Sequence, residues 1–363
     1  MVGQNLLLII FVFFGGALVI SGAINTFFMR FSKRLGIQQN NHLETRWAST
    51  SKPSLGGISF FISFLMSFLL YAIIFDAFGF FQNPEWFGML AVISIAFLLG
   101  LIDDAYDIRP LVKLMVQMGC GVLLILTNNQ IQLFEWDFIN VVFTIFWVVL
   151  IMNSINMLDN MDGITTVASI CIILTFLGVS LPLESMNQVD FFIMTGVLGA
   201  LMSFLILNWH PSKMFMGDKG SQFLGIFLAY FSIKYLWNNG LSEGSATVFS
   251  NLTMVALTFT VPLMDTFFVV IKRLLRGQSP MVGGKDHTTH TLSYKGLSDG
   301  QVAFVFTVLG VLSCSLALFV AKYMPASGLV LAVLWLFPIL LLIIAFKMSA
   351  GTPTSSEENK KET

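Results

Sequence analysis

The sequence predicts an all-α integral membrane protein, and three observations support that fold class. Hydrophobic residues make up 56% of the 363 residues and charged residues only 11%. Soluble domains carry about 25% charged residues, so the composition excludes a soluble enzyme, a disordered chain and a nucleic-acid-binding protein. Apolar runs long enough to cross a bilayer as helices recur along the whole chain. We therefore expect one polytopic membrane domain over residues 1–350 and a disordered cytoplasmic tail at 351–363.

About eleven of these runs are predicted to span the membrane. They cover residues 5–29, 55–78, 87–102, 112–127, 138–155, 164–181, 190–207, 221–237, 248–270, 300–321 and 327–346. The connecting loops then alternate between the two sides, and 17 of the 19 Lys and Arg residues fall on one side. Because basic residues favour cytoplasmic loops, we expect the N-terminus outside and the C-terminus in the cytoplasm.

The unusual carboxylates lie at the predicted cytoplasmic ends of spans, beginning with the third. Asp103, Asp104 and Asp107 end that span, and on a helix they would be close neighbours. Their mutual repulsion favours a cation between them, whereas a solvated acidic loop is the alternative. Because charge beside the bilayer is costly, the functional interpretation is the stronger one.

A polar stripe ends the fifth predicted span. Asn153, Asn156 and Asn160 recur at helical spacing, and Asp159 and Asp162 continue the polar side. Such a stripe must face protein or water, not lipid. Hydrogen bonding between helices would explain the asparagines, but it explains the two aspartates poorly.

A glycine-flanked turn opens the eighth span. Its residues are Gly217-Asp218-Lys219-Gly220-Ser221. Turns of this kind expose N–H groups to phosphate at a helix N-terminus. We expect Asp218 to hold a cation and Lys219 a phosphate oxygen, with a simple helix cap as the alternative.

Two more features lie towards the C-terminus. Asp265 is an intramembrane carboxylate ahead of a basic pair, which predicts either a functional group or a salt bridge. His287 and His290 stand in a long loop with basic residues, which suits anion binding. Zinc is the alternative ligand, but aspartate-rich sites favour a hard cation.

Carboxylates, glycine turns and basic side chains at one membrane face predict Mg²⁺-assisted phosphoryl transfer. Magnesium takes one or two carboxylates and completes its shell with substrate phosphates. It neutralises the charge of a diphosphate during transfer. A site at the membrane surface indicates that one substrate is a lipid.

Five motifs in order on this face resemble those of the polyprenyl-phosphate N-acetylhexosamine-1-phosphate transferases. This family includes phospho-N-acetylmuramoyl-pentapeptide transferase and the UDP-GlcNAc:undecaprenyl-phosphate GlcNAc-1-phosphate transferases. The eleven-span count is more similar to the GlcNAc branch. The motifs are Lys52-Pro53-Ser-Leu-Gly56-Gly57, Asp103-Asp104, the Asn153–Gly163 block, Phe215-Met-Gly-Asp218-Lys-Gly-Ser221 and Val261-Pro-Leu-Met-Asp265-Thr266.

The resemblance implies transfer of N-acetylhexosamine-1-phosphate from a UDP-sugar, GlcNAc above all, to undecaprenyl phosphate with release of UMP. It implies Mg²⁺, for which Mn²⁺ can substitute, a bacterial cytoplasmic (inner) membrane, and no nucleic-acid partner. Asp218 would ligate the metal, and Asp103 would deprotonate the lipid phosphate. The implied catalytic set is Asp103, Asp104, Asp159 and Asp162. The implied substrate-binding set is Lys52, Asn153, Asn156, Lys219, Asp265, His287 and His290.

Two departures from the family pattern bear on the donor sugar. The histidine loop reads Asp286-His287-Thr-Thr-His290, one histidine fewer than is common in the family. Asp107 stands where the muramoyl enzyme has a lysine, which argues against that donor. The open alternatives are another UDP-N-acetyl sugar, UDP-MurNAc-pentapeptide, or an ion-coupled transporter. Monomer and homodimer also remain open.

Overall fold

The computed structural model describes residues 2–35, 52–75, 77–180, 186–239, 248–281, 283–323 and 328–350, and these ranges are helical without a named strand. The predicted tail at 351–363 lies outside the described residues. The helices are α1 Val2–Leu35, α2 Gly56–Ile74, α3 Pro84–Tyr106, α4 Pro110–Leu126, α5 Asp137–Leu158, α6 Ile164–Val179, α7 Gln188–Asn208, α8 Asp218–Ser232, α9 Val248–Thr258, α10 Thr260–Leu275, α11 Thr288–Tyr294, α12 Asp299–Tyr323, α13 Gly328–Leu334 and α14 Leu336–Ser349. A 3₁₀ turn, Phe78–Gln82, precedes α3, and a π-helical turn, Ile233–Trp237, extends α8.

Helices occupy all eleven predicted spans. Among the described residues, seven helical stretches are long and apolar enough to cross a membrane, or eight if α9 and α10 count together. Helices α4 and α6 are apolar but shorter. The chain is thus a multi-pass membrane protein, whereas the number of crossings and their orientation stay predictions.

The ninth predicted span, 248–270, is not one straight helix. It consists of α9 and α10, which meet at Phe259 with a bend of 79°. Pro262 lies in the first turn of α10, where its missing N–H has no intrahelical partner to lose. The apolar run concealed the bend because hydropathy does not record direction.

Helix α8 is the centre of the bundle. Its residues from Lys219 to Ser232 are all buried, and it packs against α2, α3 and α5. Stacked and edge-to-face rings of Phe64, Phe223 and Phe227 join α2 to α8. Aromatic pairs in these geometries add to the packing beyond their buried area.

The start of α8 lies unusually close to its neighbours. A Cβ on Gly100 of α3 would come within 2.3 Å of the carbonyl oxygen of Asp218, so only glycine allows this approach. Gly217 has φ of 74°, which turns the chain into α8. The preceding segment pairs with residues 53–57, through a bridge between Ser54 and Phe215. These contacts fix the GDKGS turn beside the ends of α2 and α3.

Candidate active site

Asp104 ties the end of α3 to the start of α8. Its Oδ1 accepts the backbone N–H of Asp218 at 3.0 Å, and its Oδ2 accepts that of Lys219 at 3.3 Å. The Lys219 ammonium pairs with the same carboxylate and donates to the Ser54 carbonyl at 2.8 Å. A carboxylate is stabilised at a helix N-terminus by the unpaired N–H groups there. Lys219, which the sequence predicted to bind a phosphate, therefore lies in a buried ion pair.

Asp103 is buried beside a lysine from α4. Its Oδ1 accepts the Ile108 N–H at 3.0 Å, and its Oδ2 lies 2.5 Å from Nζ of Lys113. Asp107 lies past the end of α3 with φ of 48°, and its side chain is exposed. The expectation of three carboxylates on one helix is therefore wrong, because the chain leaves the helix ahead of Pro110. The cation beside Asp103 is the Lys113 side chain.

The end of α5 orients the carboxylate of Asp218. Asn156 Nδ2 donates to Asp218 Oδ1 at 3.1 Å and to Ser221 Oγ at 2.8 Å. Asp159 follows as the residue that ends α5, and its N–H donates to the Asn156 carbonyl at 3.3 Å. Asp218, the predicted metal ligand, is thus brought together with Asn156 and Asp159.

Asn153, one turn earlier, makes contacts of a different kind. Its Nδ2 donates to Gln117 Oε1 at 2.7 Å and to the Val149 carbonyl at 2.8 Å. Gln117 in turn donates to Gln222 at 3.2 Å. This chain of amides links α4, α5 and α8, as interhelical hydrogen bonds do in membrane proteins. The predicted substrate contact of Asn153 stays a prediction beside this packing role.

Asp162 is the centre of a partly exposed polar group. Its Oδ1 accepts the Ser212 hydroxyl at 2.6 Å, and its Oδ2 accepts the Ser212 N–H at 2.9 Å. Lys52 Nζ lies 3.5 Å from Oδ2, and His210 Nδ1 lies 3.3 Å from it. Lys52 also stands over the ring of Phe215, with Nζ 5.1 Å from the ring centroid. The structure therefore brings together Lys52 and Asp162, which are 110 positions apart in the sequence.

Asp265 holds the histidine segment. Its Oδ2 lies 2.7 Å from Nδ1 of His287, and its Oδ1 accepts the N–H and hydroxyl of Thr288 at 2.8 and 2.6 Å. His290 follows on α11, fully buried and edge-on to His287 with ring centroids 5.4 Å apart. Burial, with the nearby His287, lowers the pKa of His290 to about 3, so its imidazole is neutral near pH 7.

Two further contacts attach this segment to the bundle. Arg273 donates two hydrogen bonds to Asp286, from Nε to Oδ2 at 2.9 Å and from Nη2 to Oδ1 at 2.5 Å. Burial opposes ionisation of Asp286, but these bonds and the guanidinium charge lower its pKa below the ordinary value. The Thr289 hydroxyl donates to Asn160 Oδ1 at 2.7 Å. The histidines are thereby tied to the turn that carries Asp159 and Asp162.

Comparison with known proteins finds one family match. The glycosyl transferase family 4 model matches residues 86–236, which include Asp103, Asp104, the Asn153–Gly163 block and Asp218. This segment of the chain is therefore similar to glycosyl transferase family 4. The predicted enzyme class, a glycosyl-1-phosphate transferase, is confirmed by this match and by the relatives.

Similarity to individual proteins extends beyond the matched segment. A probable undecaprenyl-phosphate N-acetylglucosaminyl 1-phosphate transferase of Bacillus subtilis is 28% identical over 267 residues, covering 71% of this chain and 70% of the relative. A phospho-N-acetylmuramoyl-pentapeptide-transferase of Streptococcus uberis is 28% identical, covering 78% and 88%. A Staphylococcus aureus protein of the same name is 27% identical, covering 86% and 100%.

The Asp218 site fits a magnesium ion whose other ligands come from water and substrate. Within the described ranges, no three His, Cys, Asp or Glu side chains form a preformed metal site. Magnesium commonly needs only one or two carboxylates, because water and substrate phosphates supply its other ligands. Asp218 fits that requirement, since Asn156 orients its carboxylate at a turn that Asp104 already anchors. The oxygen donors here also suit a hard cation.

A buried charge cluster at the other ends of α3 and α8 is absent from the sequence-based predictions. Asp190 of α7 is fully buried, accepts the Tyr235 hydroxyl at 2.6 Å, and lies 2.7 Å from Nζ of Lys234. Lys234 also lies 3.5 Å from Glu85, in the first turn of α3.

At the candidate active site, the sequence-based predictions also missed three residues that contact predicted ones, namely Lys113, Ser212 and Thr289. A lone lysine, serine or threonine carries no signal until its partner is known.

Proposed function

We propose that the chain transfers N-acetylhexosamine-1-phosphate, with GlcNAc as the best-supported sugar, from a UDP-sugar to undecaprenyl phosphate. The reaction releases UMP and initiates a lipid-linked cell-envelope glycan at the bacterial cytoplasmic membrane. The name of the Bacillus relative supports this acceptor, and the names of the Bacillus and Streptococcus relatives support transfer of a phosphorylated N-acetyl sugar. The Bacillus relative supports GlcNAc.

One observation carries the proposal: carboxylates from two helix ends and an amide from a third meet at one end of an apolar bundle. Asp103 and Asp104 come from α3, Asp218 from α8, and Asn156 links α5 to them. Water and lipid phosphate both reach a rim of this kind. Transporters place such groups near the bilayer midplane instead, so the transporter alternative receives no support from this arrangement.

In the proposed reaction an oxygen of the lipid phosphate attacks the phosphorus that bears the sugar. The bond from that phosphorus to the oxygen bridging to UMP breaks, and UMP leaves with the bridging oxygen and its electron pair. Asp103, whose carboxylate lies beside the Lys113 ammonium, accepts the proton of the lipid phosphate. Asp104 holds the turn that presents Asp218. The site thus works mainly by positioning, as phosphoryl transfer requires.

Bound Mg²⁺ would supply charge neutralisation at the donor diphosphate, with Asp218 as its protein ligand. Asp162 and Lys52 are partly exposed beside the Phe215 ring and would contact the nucleotide. His287 and His290 would contact the diphosphate from α11.

The test is UMP release by the purified protein in detergent, with undecaprenyl phosphate and Mg²⁺. The donor panel contains UDP-GlcNAc, UDP-GalNAc and UDP-MurNAc-pentapeptide, the last because several relatives carry that activity in their names. We expect release that depends on the lipid, is abolished by EDTA, and is fastest with UDP-GlcNAc. Release without lipid, or none with any UDP-sugar from folded protein, would contradict the proposal.

A further inference from the structure

The Asp265 carboxylate is fully committed to protein contacts. Three donors approach it, the His287 ring nitrogen and the N–H and hydroxyl of Thr288, all within 2.8 Å. The side chain is completely buried. Three of the roughly four acceptor positions of this buried carboxylate are thus occupied by protein donors. These contacts give Asp265 a role in holding the histidine segment, beside the predicted substrate contact.

The contact with Asp265 decides which nitrogen of His287 meets a ligand. A carboxylate beside Nδ1 fixes the proton on that nitrogen, and the same pairing orients histidines in catalytic and metal sites. Nε2 is then the nitrogen left for an incoming group. The ring of His290 lies edge-on to the ring of His287 and, being neutral near pH 7, adds no competing charge.

The segment is held from three different directions. Asp265 reaches it from α10, Asn160 reaches it from the end of α5 through Thr289, and Arg273 fixes Asp286 immediately before His287. Helix α11 has only seven residues, too few to be stable alone. Its position therefore depends on these side-chain contacts.

We propose that Asp265 and the Asn160–Thr289 hydrogen bond are positioning elements that dock α11 and present Nε2 of His287 to the diphosphate of the nucleotide-sugar. Asn160 belongs to the same turn as Asp159 and Asp162, so the bond sets the distance between the histidines and the carboxylates. The ligand class rests on the proposed function, whereas the docking rests on the contacts alone.

The first experiment measures docking without reference to activity. Hydrogen–deuterium exchange is followed by mass spectrometry in ligand-free protein carrying Asp265→Asn or Thr289→Val. Asparagine replaces one carboxylate oxygen with an N–H₂ group, so either His287 or Thr288 loses its acceptor, and valine removes the hydroxyl. We expect exchange across residues 286–294 to rise at least about fivefold, because each lost bond leaves a buried group unpaired. Unchanged exchange in both variants would overturn the docking role.

The second experiment measures binding of UDP-GlcNAc and of UMP by calorimetry in the presence of Mg²⁺. UMP lacks the diphosphate and therefore serves as an internal reference. We expect the two variants to bind UDP-GlcNAc about five- to tenfold more weakly while their affinity for UMP is kept. Equal loss for both ligands would overturn the assignment of His287 to the diphosphate.

Matched variants separate positioning from general damage. Thr291 is buried on the same short helix, but its hydroxyl bonds only to the His287 carbonyl of that helix, at 3.0 Å. Thr291→Val is expected to leave UDP-GlcNAc affinity unchanged, and Thr289→Ser to restore it. Failure of Thr289→Ser to restore binding would contradict the hydrogen bond as cause. Increased exchange without any UDP-sugar binding by the unmodified protein would support docking and overturn the proposed function.

Discussion

The two ends of the α3–α8 pair contrast sharply. These helices run antiparallel, and each end holds carboxylates beside a lysine. At one end Asp104 and Lys219 anchor the GDKGS turn, with partly exposed Asp218 and Asp162 nearby. At the other end Asp190 is fully buried and paired with Lys234.

The difference between the two ends shows that a charged residue in a membrane helix does not by itself indicate a functional site. At the Asp190 end, Lys234 pairs with Asp190 and Glu85 and a tyrosine hydroxyl completes the cluster, a geometry that suits stabilisation. The Asp218 end gathers polar groups from the segment before α2 and from α3, α5 and α8 around a glycine turn. The two ends differ less in charge than in the number of chain segments that contribute polar groups and in the exposure of those groups to solvent.

The largest expected effect is at the Asp218 end. Asp218→Asn should lower the turnover number about 10²–10³-fold, because the proposed metal ligand and its charge are lost. Lipid-dependent UMP release measures the effect. The thermal unfolding midpoint should barely move, since Asn156 and Ser221 still have polar partners. Full Mg²⁺-dependent turnover in this variant would remove the reason for treating the two ends differently.

The second effect is at the Asp190 end and falls on stability. Lys234→Met leaves a buried carboxylate without its counter-charge, which typically costs about 3–5 kcal/mol. Unfolding in detergent should show this loss, with turnover per folded molecule unchanged. The double variant Lys234→Met/Asp190→Asn should recover part of the stability. If Lys234→Met instead abolished turnover of folded protein, the cluster would belong to the function.

A third change tests the close approach of α3 to α8. Gly100→Ala introduces a Cβ that would meet the Asp218 carbonyl at 2.3 Å, so the helices must separate. We expect a loss of about 1–3 kcal/mol together with reduced turnover, because Asp104 is drawn away from the turn. Gly119→Ala on α4 is the control, since its Cβ meets nothing within 4 Å. Equal behaviour of the two alanine variants would refute the importance of this contact.

The smallest effect is a pH dependence from His290. Its pKa in the folded protein is about 3, below the ordinary 6.5, so the unfolded chain binds the proton first as the pH falls. The stability from burying a neutral ring is complete above about pH 6.5 and declines below it by up to about 1.4 kcal/mol per unit. Urea unfolding at pH 7 and pH 5.5 should therefore differ less for His290→Gln than for the unmodified protein. Identical differences would show that His290 is not buried in neutral form.

Much of the fold and of the site followed from local pattern. Hydropathy located helices at all eleven predicted spans, and the motifs selected Asp103, Asp104 and Asp218 before any contact was known. The bend between α9 and α10, the exposed position of Asp107 and the ion pair of Lys219 did not follow. Each of these depends on chain direction or on a partner far away in the sequence.

The sequence alone determined that the chain enters the membrane as helices and that its polar residues concentrate at helix ends. Both are consequences of local chemistry, because burial of apolar side chains and desolvation of charge act on each segment separately. Only the tertiary structure decided that Asp104 holds the Asp218 turn, 114 residues away, and that Asn160 holds Thr289, 129 residues away. Hydrogen bonds join atoms a few ångströms apart, and packing of the whole bundle is what brings those atoms together.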